Sequence, residues 1–453
     1  MFGNSGGRAV PKKGAGEEII VAIDLGSTKL RVIAGRVSPD STVEILGYRV
    51  GESVGISKGA VTDIARLSNE LSGLLQKFVE NFNATAFTVG VAGSFIVSCN
   101  ERGTSTVQTG VVSYSDRYRA IENARAGIKT FSENDYDIIH IVPQNYLTET
   151  SSEILNPVGQ YAKKLDVNVH IIGCRKAHVM NLKRVIANVA PQFFIRSVAF
   201  SGIASADAVL TEGEKEIGVC LIDLGGGTVN VAVYDNKKLI YTFGFHEGGE
   251  YITQAIAKEF GIPIKQAEFI KVQYGVADSR YLTEEQYTQS VEVPLTDPYS
   301  GGITAQIVPL AQLANTINSC LTQIFRAIYD QIMQFVSANR SHDGLSLGAG
   351  YVLTGGVAQT PFIEAVVNSD MNGPSGYVQG SANFKIRIGR PRGIKTEKAD
   401  RLESLTQPDM AVAVGLLRTA HLSELSEAEN TAEDGKQDKS LITKFKDWFS
   451  REF

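Results

Sequence analysis

Two stretches of this chain, about two hundred residues apart, carry the same design. In "IIVAIDLGSTKLRVIAGRV", Ile19 to Val37, an apolar strand ends in Asp24 and Leu25, turns at Gly26, Ser27 and Thr28, and continues into a second alternating strand. In "GVCLIDLGGGTVNVAVYD", Gly218 to Asp235, the strand Val219 to Ile222 leads to Asp223, a turn at Gly225, Gly226 and Gly227, and the strand Val229 to Tyr234. Glycine permits positive φ and carries no Cβ, so the tip of such a hairpin can aim successive N–H groups at an anion. A single turn of this kind is equally well a tight hairpin and nothing more. Two with the same D-L-G core imply an internal duplication, whose natural arrangement is a pair of half-domains clamping one phosphate chain from both sides.

A third glycine site, "VLTGGVAQ", puts Gly355 and Gly356 after a strand and before a helix, where bare backbone can lie against a nucleoside ring. Alone, strand-Gly-Gly-helix is often only a packing turn. Following two D-L-G hairpins, it completes a set.

The rest of the chain narrows the class. Its 453 residues exceed one core, which suggests two to four domains. With net charge −5 and no basic stripe interleaved with aromatics, the sequence argues against a nucleic-acid partner. Cys99, Cys174, Cys220 and Cys320 are widely separated and suit buried thiols in a reducing compartment. No stretch approaches the roughly 18 apolar residues of a membrane span, and "MFGNSGGRAVPKKGAGEE" lacks the apolar core of a signal peptide, so a cytoplasmic protein is expected.

The three sites, in this order, resemble those of the actin, Hsp70 and sugar-kinase superfamily. The resemblance implies an α/β, actin-like fold of two duplicated RNase H-like lobes around a nucleotide cleft, with ATP or ADP and Mg²⁺ as cofactors. It assigns Asp24 and Asp223 to Mg²⁺ through water; Gly26, Ser27, Thr28 and Lys29 to the first phosphate loop; and Gly225, Gly226, Gly227 and Thr228 to the second. "HEGGEYIT" supplies Gly248 and Gly249, "AEFIK" supplies Glu268 and Lys271, and the third site supplies Gly355, Gly356 and Val357, all on the nucleoside side. Chaperones of this superfamily carry a water-orienting Glu or Gln near the first connecting helix. Gly202 is expected at that place here, which implies ATP hydrolysis that is slow at most, and no catalytic residue is assigned.

Within the superfamily, "HIVPQNYLTETSSEILNPVGQ", "EIGVCLIDLGGGTVNVAVY", "AEFIKVQYG", "VEVP" and "FKDWFSREF" resemble the FtsA family of bacterial cell-division actins. That resemblance implies a small α+β subdomain inserted in the first lobe. The expected divisions are a disordered tail 1–17; a first-lobe core 18–98 and 176–215, completed by 389–421; the insert 99–175; a second-lobe core 216–250 and 318–388; its small subdomain 251–317; a flexible linker 422–439; and an amphipathic helix 440–453. It further implies a polymer of like subunits on the cytoplasmic face of the inner membrane at the division septum. The partners implied are the FtsZ C-terminal peptide, taken by 251–317, and later division proteins such as FtsN.

The last segment fits this on its own terms. Leu441, Ile442, Phe445, Trp448, Phe449 and Phe453 fall at helical spacing, with Lys444, Lys446 and Arg451 on other faces, the pattern of a helix lying in an anionic membrane interface. One such helix holds weakly, and a filament presenting many gains avidity. The competing expectation is an actin-fold ATPase or small-molecule kinase.

Overall fold

The computed structural model describes residues 19–82, 84, 86–151, 153–296, 303–339, 345, 347–372, 385–397 and 401–432. The expected N-terminal tail and the helix 440–453 lie outside these residues.

The chain first lays down β1 (Ile20–Leu25), β2 (Lys29–Val37) and β3 (Val43–Glu52), a short pair β4 (Ile56–Ser57) and β5 (Ala60–Val61), then α1 (Ile64–Phe82) and β6 (Ala86–Val91). Helix α1 turns Leu67, Leu71, Leu75 and Phe78 into the core, the three-to-four spacing that buries one face. The insert follows as β7 (Ile96–Thr106), α2 (Tyr114–Ala126), β8 (Tyr136–Leu147) and β9 (Lys164–Arg175). Its strands form a separate sheet ordered β7-β9-β8. Ser113 and Asp116 fix the start of α2 by a reciprocal capping box. The chain then returns through α3 (Lys176–Val189) and β10 (Phe194–Phe200) and crosses by α4 (Ser201–Val209) and α5 (Glu212–Ile217).

The second lobe opens with β11 (Val219–Leu224), β12 (Val229–Asp235) and β13 (Lys238–Phe245), followed by α6 (Gly249–Phe260), α7 (Ile264–Tyr274) and α8 (Glu284–Thr288). A hairpin of β14 (Ser290–Thr296) and β15 (Ile303–Pro309) precedes the long α9 (Leu310–Ala338), β16 (Gly350–Thr354), α10 (Ile363–Asn372) and β17 (Ile386–Ile388). The chain ends its described course with β18 (Ile394–Thr396), α11 (Leu402–Leu405) and α12 (Ala411–Ala432).

Duplication is explicit in the sheets. The first lobe is ordered β10-β6-β1-β2-β3-β18 and the second β13-β12-β11-β16-β17. In each, an antiparallel three-strand meander continues through parallel neighbours: β1 beside β6 and β10, β11 beside β16 and β17. β18 adds a parallel edge strand to β3, so the end of the chain closes the first lobe.

Two helices join the lobes. α4 packs on β11 and β12, α12 packs on β1, β2 and β6, and the two pack on each other. Their contact uses small residues: a Cβ on Gly415 would collide with the carbonyl of Ala204. α12 also corrects the sequence reading, because residues 422–432, expected as linker, continue the helix. "SELSEAENTA" is rich in the strong helix formers Ala, Glu and Leu, and no Gly or Pro interrupts it before Gly435.

The insert leaves and re-enters the first lobe, yet it is bonded to the second. Ser98 Oγ donates to the Thr242 carbonyl at 2.7 Å, Asn100 Nδ2 to the Ile240 carbonyl at 2.9 Å, and Gln144 Nε2 to the Leu239 carbonyl at 2.7 Å. His170 bridges Asn100 Oδ1 at 2.7 Å and Thr242 Oγ1 at 2.9 Å. Asn100 Nδ2 is committed to a carbonyl, so its Oδ1 is an acceptor; His170 therefore donates from Nδ1 and accepts at Nε2.

Candidate nucleotide site

The two D-L-G hairpins face each other across the cleft. A Cβ on Gly226 would collide with Thr28 Oγ1, and one on Gly227 with Ser27 Oγ, so the second turn has no room for a side chain against the Ser27 and Thr28 side chains of the first. The second turn is held from behind: Gly249 N–H donates to the Gly225 carbonyl at 2.9 Å and Glu250 N–H to the Gly226 carbonyl at 2.6 Å. In a trans peptide the next N–H points away from that carbonyl, so the N–H groups of Gly226 and Gly227 turn away from α6. Both first-lobe and second-lobe turns line a cavity of about 440 Å³, within the range of small-ligand sites.

The cavity gathers most of the residues singled out in the sequence. Asp24, Gly26, Ser27, Thr28 and Lys29 line it from the first lobe, and Asp223, Gly225, Gly226 and Thr228 from the second. Gly249, Glu268, Lys271, Gly355, Gly356 and Val357 line it too, with Gly249 against Val357 and Lys271. Gly355 takes φ +89°, and a Cβ there would press on the Leu224 backbone and Asp223 Oδ1. Lys271 is fully engaged: its Nζ donates to Glu268 Oε2 at 2.6 Å, Thr253 Oγ1 at 2.8 Å and the Gly249 carbonyl at 3.1 Å.

Three placements differ from the sequence reading. Gly227 is buried against Ser27 and is not part of the cavity wall. Gly248 lies beneath the second turn, where a Cβ would meet the Gly225 and Gly226 carbonyls at 2.7 Å, so it supports the turn from behind rather than facing a nucleoside. Gly202, expected where a water-orienting side chain would act, does not face the cavity; a Cβ there would run into the ring of Phe200, and Ser201 lines the cleft instead. Adjacent helical residues point about 100° apart, and that rotation moves position 202 off the cleft wall.

Arg31, Asn230 and Asp409 were not singled out in the sequence, yet all line the cavity. Arg31 Nη1 donates to Asp24 Oδ2 at 3.3 Å and Nη2 to Asp409 Oδ2 at 2.7 Å, while Lys29 Nζ lies 3.6 Å from the same Asp409 oxygen. Asn230 Nδ2 donates to Asp223 Oδ2 at 3.1 Å, and its Oδ1 accepts from Gly93 N–H at 2.8 Å. Burial pushes the Asp223 carboxyl up to about 7, with the Asn230 donor opposing and the Asp24 charge adding to the rise. Burial raises Asp24 as well, against the pull of Arg31.

These carboxylates suit a hard divalent ion of the Mg²⁺ kind. Among the described residues no group of three or more His, Cys, Asp or Glu side chains could ligate an ion unaided. Mg²⁺ is commonly held in just this way, by one or two carboxylates with phosphate and water completing the shell.

Two duplicated lobes over a glycine-lined cleft define the actin-like fold class. Among solved structures, the PilM-PilN type IV pilus biogenesis complex matches with TM-score 0.59 at 12% identity, covering 88% of this chain and 98% of that one. MreB5 of Spiroplasma citri bound to ADP matches with TM-score 0.51 at 11% identity, covering 93% and 100%. A family model described as cell division protein FtsA matches residues 220–415, and one described as the SHS2 domain inserted in FtsA matches residues 93–173. Cell division protein FtsA of Escherichia coli (strain K12) is 28% identical over 450 residues, covering 97% of this chain and all of that protein. The FtsA of Neisseria meningitidis serogroup B (strain ATCC BAA-335 / MC58) is 29% identical over 442 residues, covering 96% and 99%. The chain belongs to the FtsA family of cell-division proteins.

Proposed function

We propose that this cell-division protein binds ATP or ADP with Mg²⁺ in the cleft, polymerises with copies of itself on the inner membrane, and anchors FtsZ there. The observation that carries the nucleotide reading is the pair of glycine turns brought tip to tip beside two buried aspartates. The same fold in MreB5 of Spiroplasma citri holds ADP. In this reading the N–H groups of the second turn bind phosphate oxygens, and Lys29, half exposed at the cleft, supplies a point charge. Asp24 and Asp223 would hold Mg²⁺ through water, and the ion would add to the positive charge that faces the phosphates. Glu268 and Lys271 form a ready ion pair for the ribose, with Gly355, Gly356 and Val357 against the base.

The membrane part rests on residues 440–453, whose apolar and basic faces suit an interfacial helix, and on the family. Among the described residues no helix is long and apolar enough to cross a membrane. The FtsZ C-terminal peptide is assigned to the subdomain 251–317, and recruitment of later division proteins such as FtsN to the membrane-bound polymer. Electron microscopy of the full chain on an anionic lipid monolayer, with ATP and without nucleotide, tests the whole reading. Ordered filaments on lipid that need nucleotide are expected; a protein that binds no nucleotide and leaves the monolayer bare overturns it.

A further inference from the structure

The two lobes repeat a hydrogen bond with different chemistry. β1 and β2 pair Asp24 with Arg31, and β11 and β12 pair Asp223 with Asn230. Each partner stands seven residues after its aspartate and donates to Oδ2, but one is a guanidinium and the other a neutral amide. A guanidinium keeps its charge at every pH a protein survives, so the first lobe carries a permanent cation where the second carries none.

Arg31 is built into the site. Its side chain is only 9% exposed, it is pinned between Asp24 and Asp409, and it lines the phosphate end of the cavity. Its buried Nε has no hydrogen-bond partner among the described residues, so the group keeps a donor in reserve. Arg31 and Lys29 balance Asp24 and Asp409, so the first-lobe carboxylates need no divalent ion to neutralise them before phosphate approaches, and only Asp223 is left with a neutral partner.

We propose that Arg31 is a resident cation of the phosphate site, occupying Asp24 in place of part of the divalent charge, so that nucleoside di- and triphosphates bind this chain with little dependence on Mg²⁺. The ion's remaining share falls on Asp223. The inference rests on the nucleotide reading of the cleft and deepens it.

The test compares dissociation constants for ADP and a non-hydrolysable ATP analogue, in Mg²⁺ and in EDTA, for the full chain and two variants. Arg31→Asn copies the pair already present in the second lobe. Asp409→Asn removes a carboxylate that competes for the guanidinium. For the wild type, EDTA should weaken binding by less than about tenfold; for Arg31→Asn the loss in EDTA should exceed about tenfold beyond that and be smaller in Mg²⁺, on the scale of one charge-assisted contact. Asp409→Asn should tighten binding in EDTA, a direction that mere loss of structure does not give. A wild-type loss of about a hundredfold or more in EDTA, near the upper end of one such contact, overturns the inference, as does a ratio that neither variant moves at unchanged melting temperature. Failure of the wild type to bind either nucleotide in either buffer overturns the nucleotide reading itself, and the inference with it.

Discussion

Asn230 joins two parts of the molecule with one side chain: its Nδ2 donates to Asp223 Oδ2 at 3.1 Å inside the cleft, and its Oδ1 accepts from Gly93 N–H at 2.8 Å where the insert departs. A carboxylate is thereby tied to the backbone from which the insert springs.

Asn230→Asp keeps the acceptor for Gly93, loses the donor to Asp223 and sets two carboxylates against each other. Destabilisation of about 1–3 kcal/mol is expected at pH 8, the cost of an unpaired buried polar group. It should shrink toward pH 5, where one carboxyl binds a proton and becomes a donor. Equal melting-temperature losses at both pH values would remove the charge argument.

Gly226→Val fills the space between the two turns. Nucleotide affinity should fall by about tenfold or more, the loss of at least one charge-assisted contact, while the melting temperature falls only a little, because the atom met first is the Thr28 hydroxyl at the end of a side chain that can rotate away. Titration calorimetry with ADP decides it, and an unchanged affinity sinks the phosphate role of the turn.

His170 is buried and His140 half-buried in the insert, and removal from water pushes them down to about 3 and about 4. Unfolded, each takes up a proton nearer the ordinary 6.5, so the unfolded chain binds more protons between those values. Their contribution to stability is complete above pH 6.5 and is lost as the pH falls through the folded values, at about 1.4 kcal/mol per pH unit for each histidine. Denaturant titrations from pH 7 to pH 5 should show it, and His170→Gln should flatten the slope by about one proton. The same slope in the variant would assign the effect elsewhere.

Two glycine-to-alanine changes should move stability in opposite directions. Gly415→Ala drives a methyl into the Ala204 carbonyl and should cost about 1–3 kcal/mol, the usual penalty of overpacking. Gly73→Ala, in α1 with open space around it, should gain about 0.5–1 kcal/mol from helix propensity. Matching signs in thermal melts would contradict the packing described between α4 and α12.

Trp448→Glu puts a charge on the apolar face of the terminal segment. Flotation with anionic liposomes should fall about tenfold or more, since a short amphipathic helix binds by a margin of only a few kcal/mol. ADP affinity should stay as it was. A variant that floats like the wild type would show that the segment is not the anchor.

The hairpins, the duplication and the insert were legible because strand alternation and D-L-G turns are local signals, repeated in one chain. The register was legible too, since a tight turn after Asp24 places the residue seven positions on opposite it; the sequence reading stopped at the turn and passed over Arg31. Asp409 was not legible, lying 378 residues from the guanidinium it grips. Gly202 and Gly248 show the limit of motif matching: one helical step moves the first off the cleft wall, and the second fills a place behind a turn where only backbone fits. In α12, composition alone said linker, while continuity with a buried helix carried the chain on.

The bonds between the insert and β13 close the molecule into a ring. First lobe, insert, second lobe and the α4–α12 pair each touch the next, so the cleft is one side of a linkage and cannot open as a free hinge. In a closed linkage, one joint moves only if another yields. The helix pair has no room to slide past Gly415, whereas the insert holds β13 by side-chain hydrogen bonds that water can replace. A change of cleft width therefore has to appear as slip between the insert and β13. A pair of spin labels across that seam would read it as a change in distance.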